Sequence, residues 1–169
     1  MMVDDHSSCD KGGLGRSEGI ETMDVRYLHL KADGSLPQIQ IAKPFMAIIV
    51  GATAVSSDWR DEVSRWLVKN GCLYVLAWGI DCSAWDDSVD HASLEVFDFG
   101  EIPEKSLVMT TWHDDESLKD VFSFAQHAAH HPTENIETAV IVDIHERARS
   151  ATLLGDFAAA AEPAVRRSE

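Results

Sequence analysis

Four short apolar runs constrain the fold more than any other feature of the chain. They are FMAIIV (45–50), CLYVLAW (72–78), SLVMTT (106–111) and TAVIVDI (138–144). Each is too short for a buried helix and rich in strand formers, the pattern of strands covered on both faces. Amphipathic stretches separate them. In the first, Trp59, Val63, Trp66 and Leu67 share one helical face, with Arg60, Asp61 and Lys69 on the other. Strands alternating with helices predict an α/β three-layer sandwich: a mainly parallel sheet of about four or five strands with helices on both faces.

Punctuation sets the expected boundaries. Ser57 or Asp58 caps the first helix and Gly71 closes it. Ser83 caps the second, with Asp86 three residues on in a capping-box position; Trp85, Val89, Ala92 and Val96 form its buried face. Leu94 to Phe99 is open to an extended reading. Asp114 or Asp115 caps the third helix, which runs to about His131 before Pro132, with Leu118, Val121, Phe122, Ala125, Ala128 and Ala129 as its stripe. A last helix spans 146–161 and docks through Leu153, Leu154, Phe157 and Ala158. Upstream, 25–30 and 38–42 flank the turn signal ADGS, and Ile39 and Ile41 alternate with glutamines. An N-terminal hairpin or edge strand is expected there. Residues 1–22 and 162–169 are expected to be disordered tails around one domain, 23–161, with Met23 an alternative start.

The charge narrows the function classes. The chain carries 29 acidic and 14 basic residues, a formal charge of −15. That surface repels phosphate backbones, so nucleic acid is disfavoured and a basic protein partner is the expected one. No run approaches the roughly 18 apolar residues of a membrane span. Cys9, Cys72 and Cys82 form no CxxC pair and no secretory leader is visible, so a cytoplasmic location is expected. GATAVSSD has one glycine and no lysine, so neither a phosphate-binding loop nor a dinucleotide fingerprint is present. No cofactor and no metal site is expected.

Ligands of parallel α/β sheets gather beyond the carboxyl ends of the strands. The stretches meeting that edge are 51–53, 79–85, 112–115 and 143–145. If the chain reverses between the first and third core strands, Thr53, Thr111, Trp112 and His113 come near Asp81 and Cys82. Asp81, Asp86 and His113 are the candidate acid–base groups, and Thr53, Cys82, Trp85, Thr111, Trp112 and His145 the candidate ligand contacts. The plainer reading makes Asp81, Ser83, Asp86 and Asp114 helix caps and Trp78 and Trp85 packing groups. His113 with Asp81 forms a base and its orienter, or with Cys82 a nucleophilic pair; no known zinc spacing joins Asp81, Cys82, His113 and His145. His127 and His131 lie opposite the apolar stripe and are expected to face solvent.

The strings CLYVLAWGIDCSAWDDSVD, FDFGEIPE and MTTWHDDESL resemble an uncharacterised bacterial family of small acidic α/β proteins, over roughly 44–144. The resemblance implies a bacterial single-domain protein and no assigned activity. With no catalytic signature present, the expected function is a non-catalytic interaction or regulatory module, immunity- or adaptor-like. The alternative is an enzyme acting on a small polar or sugar-like substrate at the carboxyl edge. The sequence leaves the oligomeric state open.

Overall fold

The computed structural model describes residues 22–162. The tails expected over 1–22 and 162–169 lie outside the described residues, apart from Thr22 and Glu162, as does Cys9. Among the described residues, five strands form one sheet: β1 (Asp24–Leu30), β2 (Phe45–Gly51), β3 (Cys72–Gly79), β4 (Met109–His113) and β5 (Thr138–Ile144). Their order is β1-β5-β2-β3-β4, and every pairing is parallel. Among the described residues, four α-helices cover it: α1 (Ser57–Lys69), α2 (Cys82–Val96), α3 (Leu118–His127) and α4 (Ser150–Ala159). The expected α/β sandwich is the observed fold.

Alternation along the central strands builds both cores. In β2, Phe45, Ala47 and Ile49 meet Trp59, Val63 and Leu67 of α1 and Trp85 and Val89 of α2. Met46, Ile48 and Val50 point the other way, onto Val121, Phe122 and Ala125 of α3 and Leu153 and Phe157 of α4. Phe122 and Phe157 pack edge to face at 5.4 Å between centroids. Strands β2 and β5 are buried along their whole length, which is why their sequences do not alternate.

Several boundaries differ from expectation. Of the expected N-terminal hairpin or edge strand, the described residues form the edge strand: β1 pairs in parallel with β5. Residues 38–42 form no strand; Leu36, Ile39 and Ile41 instead pack onto the α1 side, where Trp59 Nε1 donates to the Gly34 carbonyl (2.7 Å) and Trp66 Nε1 to that of Pro37 (3.1 Å). A crossing segment that lays alternate side chains on a helix has the same period as a half-exposed strand. Trp66, on the expected core face, is only half-buried.

Helix starts move for local hydrogen-bonding reasons. Ser56, not Ser57 or Asp58, caps α1 by accepting the Trp59 N–H (3.2 Å). Asp81 caps α2 in the left-handed region (φ 56°) without a side-chain bond, so Ser83 lies inside the helix and no capping box forms. Val96 is exposed, and 94–96 remain helical. β4 starts at Met109 rather than Ser106, because a 3-10 turn occupies Glu104–Ser106, so Trp112 and His113 are strand residues. Ser117 caps α3 by accepting the Asp120 N–H (3.2 Å), and the helix stops at His127 with Ala128 exposed.

His131 is buried rather than solvent-facing. Its Nδ1 accepts the N–H groups of Thr133 (3.2 Å) and Glu134 (3.0 Å) while Nε2 donates to the Leu107 carbonyl (2.7 Å). The imidazole thereby closes the turn that follows α3. His127 and His130 are exposed. α4 is shorter than expected and docks on its own sheet through Leu153 and Phe157, leaving Leu154 half-buried and Ala158 exposed.

Candidate functional site

Parallel order brings the loops after β2, β3, β4 and β5 to one edge of the sheet. The chain does not reverse between β2 and β4 as expected, since β3 separates them. Instead, β2 and β3 lead into helices on one face, whereas β4 and β5 lead into helices on the other. The connections therefore diverge at two places, between β5 and β2 and between β3 and β4. A cleft of about 470 Å³ lies there, lined by Gly51, Trp78, Gly79, Ile80, Glu116 and Arg149 among others. Gly51 and Gly79 contribute only backbone to its lining. A Cβ at Gly79 (φ 98°) would stand 2.4 Å from the Gly51 carbonyl oxygen, which accepts the Ile80 N–H at 2.8 Å.

The first divergence is closed by a charged group absent from the sequence expectations. Asp143 of β5 is fully buried, and Arg149 grips it through Nη2 to Oδ1 (2.5 Å) and Nε to Oδ2 (3.3 Å). Tyr27 of β1 donates to Asp143 Oδ2 (2.6 Å) and accepts the Arg149 backbone N–H (2.7 Å). Burial, then the bond to Asp143, hold the Tyr27 phenol above its ordinary value; that same carboxylate raises Arg149. Asp143 has a signal in sequence, a lone charge in an apolar strand. Tyr27 and Arg149 have none.

At the second divergence His113, 5 % exposed, donates from Nδ1 to Glu116 Oε2 (3.0 Å), with Thr111 Oγ1 3.0 Å from Nε2. Phe124 stands edge-on to the ring at 5.2 Å, and Trp78 Nε1 donates to the Glu116 carbonyl (2.8 Å). Thr111 and His113 are thus brought together. Asp86 lies on α2, on the opposite face of the sheet, and Asp81 is exposed at the start of that helix. His113 hydrogen-bonds neither of them, because α2 and α3 leave the sheet in opposite directions.

The other expected contacts are scattered. Trp85 is buried edge-on against Trp59 (6.3 Å), and Cys82 is a buried free thiol. Thr53 lines a separate cleft, also of about 470 Å³, with Lys31, Glu146 and Arg147. His145 Nδ1 accepts the Arg147 N–H (3.0 Å), and its carbonyl accepts from His29 Nε2 (2.6 Å). Trp112 points to the α2 side and is 51 % exposed. There Thr110 Oγ1 donates to Asp90 Oδ1 (3.0 Å), and the Asp90 carboxyl is raised by burial and then by the charges of Asp86 and Asp87. Asp86 itself is 8 % exposed, and its Oδ1 has no hydrogen-bond partner. Burial pushes the Cys72 thiol up to about 12, an unreactive group.

Among the described residues, no three His, Cys, Asp or Glu side chains are grouped to hold a metal ion, and no helix is long and apolar enough to cross a membrane. No curated protein and no solved structure matches the chain. Residues 25–160 match the family described as a domain of unknown function, DUF7684, and the chain belongs to that family.

Proposed function

For this member of the DUF7684 family, we propose a non-catalytic interaction or regulatory role, adaptor- or immunity-like, in which an acidic side of the molecule receives a basic protein partner. The distribution of charge carries this reading. Between Asp81 and Asp120 there are twelve acidic and two basic residues, so most of the −15 lies in α2, β4 and the segments around them. A field so one-sided steers a basic partner and repels nucleic acid. The pairing of Asp143 with Arg149 and of His113 with Glu116 supports it too, since these groups already serve each other. A cytoplasmic, reducing setting goes with the free thiols of Cys72 and Cys82. The test is capture by the whole chain from the cells that make it, then titration of the purified partner between about 50 and about 300 mM salt. Affinity is expected to fall steeply with salt; salt-insensitive binding of every partner removes the electrostatic basis.

The cleft at the strand ends favours a second reading, an enzyme acting on a small polar or sugar-like substrate at the carboxyl edge. His113 with Glu116, rather than with Asp81 or Asp86, is then the acid–base pair. A panel of monosaccharides and small carboxylates, scored by shifts of the Gly51 and Gly79 amide resonances, decides it. No perturbation by any member counts against this reading.

A further inference from the structure

We infer that the basic partner docks on the outer edge of β4, as an extended segment that pairs with this strand and sets an arginine or lysine between Trp112 and the Asp86–Asp90 carboxylates. This rests on the interaction reading above.

β4 is an edge. It pairs with β3 alone, and among the described residues no other backbone group bonds to Met109–His113. Such an edge is a template for one more strand. Proteins commonly blunt edges with charge on the strand itself. This one presents a large, half-exposed indole instead.

The geometry beside it selects the occupant. α2 runs from the carboxyl edge of the sheet to the amino edge, and β4 runs the opposite way. The Thr110–Asp90 hydrogen bond ties them together. Moving from that bond toward the carboxyl edge, one helical turn reaches Asp86 and two strand residues reach Trp112, on the same side of the sheet. Register thus sets the exposed indole on the same side of the sheet as the carboxylates of Asp86 and Asp90. A guanidinium supplies what this arrangement lacks: donors for the carboxylates and a flat cation for the indole face. Electrostatics disfavour a second copy of the chain here, because two such acidic surfaces repel. The opposite edge, β1, carries Arg26 and His29 and does not offer the same field.

The experiment uses the whole chain and two labelled octapeptides, one alternating Arg and Thr, the other Glu and Thr. Binding is followed by fluorescence anisotropy, and amide hydrogen exchange is mapped with and without peptide. The Arg peptide is expected to bind, to lose affinity with salt and to slow exchange across Met109–His113, while the Glu peptide does neither. Trp112→Ala and Asp86→Asn are each expected to weaken binding about tenfold or more. Asp156→Asn removes the same charge from an exposed position on α4 and is expected to stay within about twofold. Unchanged melting temperatures keep the variants comparable, and Trp112→Phe, which retains a ring, is expected to recover part of the affinity. Salt-dependent binding without protection of β4, and indifferent to W112A and D86N, overturns this inference but leaves the acidic-surface reading intact. Equal binding of both peptides, or of neither, overturns both. Concentration-dependent protection of β4 without peptide identifies a second copy as occupant and also overturns it.

Discussion

Arg149 holds Asp143 through two of its nitrogens, at 2.5 and 3.3 Å, and the carboxylate it holds is fully buried in the sheet. Removing the cation strands that charge in the core. Arg149→Ala is expected to cost about 3 kcal/mol, the low end for a broken buried pair because the guanidinium is partly solvated. Replacing both residues, Asp143→Asn with Arg149→Met, is expected to recover most of that loss. Urea unfolding measures both, and a single-variant cost below about 1 kcal/mol would show the pair to be solvent-screened.

Tyr27 adds a pH dependence to the same cluster. Burial and Asp143 raise its phenol, so the folded chain keeps this proton after unfolded chains release theirs. The associated stability is complete below about pH 10 and drains as pH rises through the raised folded value. Tyr27→Phe is expected to flatten that alkaline loss and to cost about 1–2 kcal/mol near neutrality. Thermal melts from neutral to strongly alkaline pH check it; an unchanged alkaline limb contradicts the assignment.

Gly79 has no space for a side chain. Its backbone is left-handed (φ 98°), and the Gly51 carbonyl stands where a Cβ would go. Gly79→Ala is expected to destabilise by at least about 2–4 kcal/mol, from strain plus separation of β2 from β3. Tolerance of alanine, read from the melting temperature, would mean that the two strands can part at their ends.

Asp90 works in the opposite direction from a paired carboxylate. Burial and then its acidic neighbours raise it, so ionisation disfavours the fold. Stability linked to this group is greatest below the ordinary value of 3.8 and falls as pH rises through the folded value. Asp90→Asn keeps an acceptor for Thr110 and removes the repulsion. The expected gain at neutral pH is under about 0.5 kcal/mol, since Asp90 is largely exposed, and it should vanish in acid. Denaturant melts at two pH values measure it; a loss at neutrality would show that the charge itself is needed.

Much of the fold is legible in the sequence. The run 138–144 matches β5 residue for residue, because a doubly buried strand must be apolar throughout. The run 106–111 misplaces β4 by three residues, because apolar side chains report burial, whereas a strand begins where its neighbour offers hydrogen bonds. Gln38–Ala42 misleads for a related reason, since period two describes any chain that lays alternate residues on a surface. For the candidate site, the carboxyl edge was predictable from parallel order alone. Its partners were not: Tyr27 reaches Asp143 across 116 residues of chain, and nothing local to either announces the other.

The sequence by itself determined the class of the fold, the two-sided core and the acidic character, because apolar periodicity and charge are written in neighbouring residues. Only the tertiary structure decided that β5 enters between β1 and β2, that His113 and Asp86 lie on opposite faces, and that β4 pairs with β3 alone among the described residues, with Trp112 on its edge. Those outcomes depend on the order in which strands pair and on the face each crossover takes. Both are settled by contacts between residues far apart in the chain, and they decide which of its many carboxylates become a site.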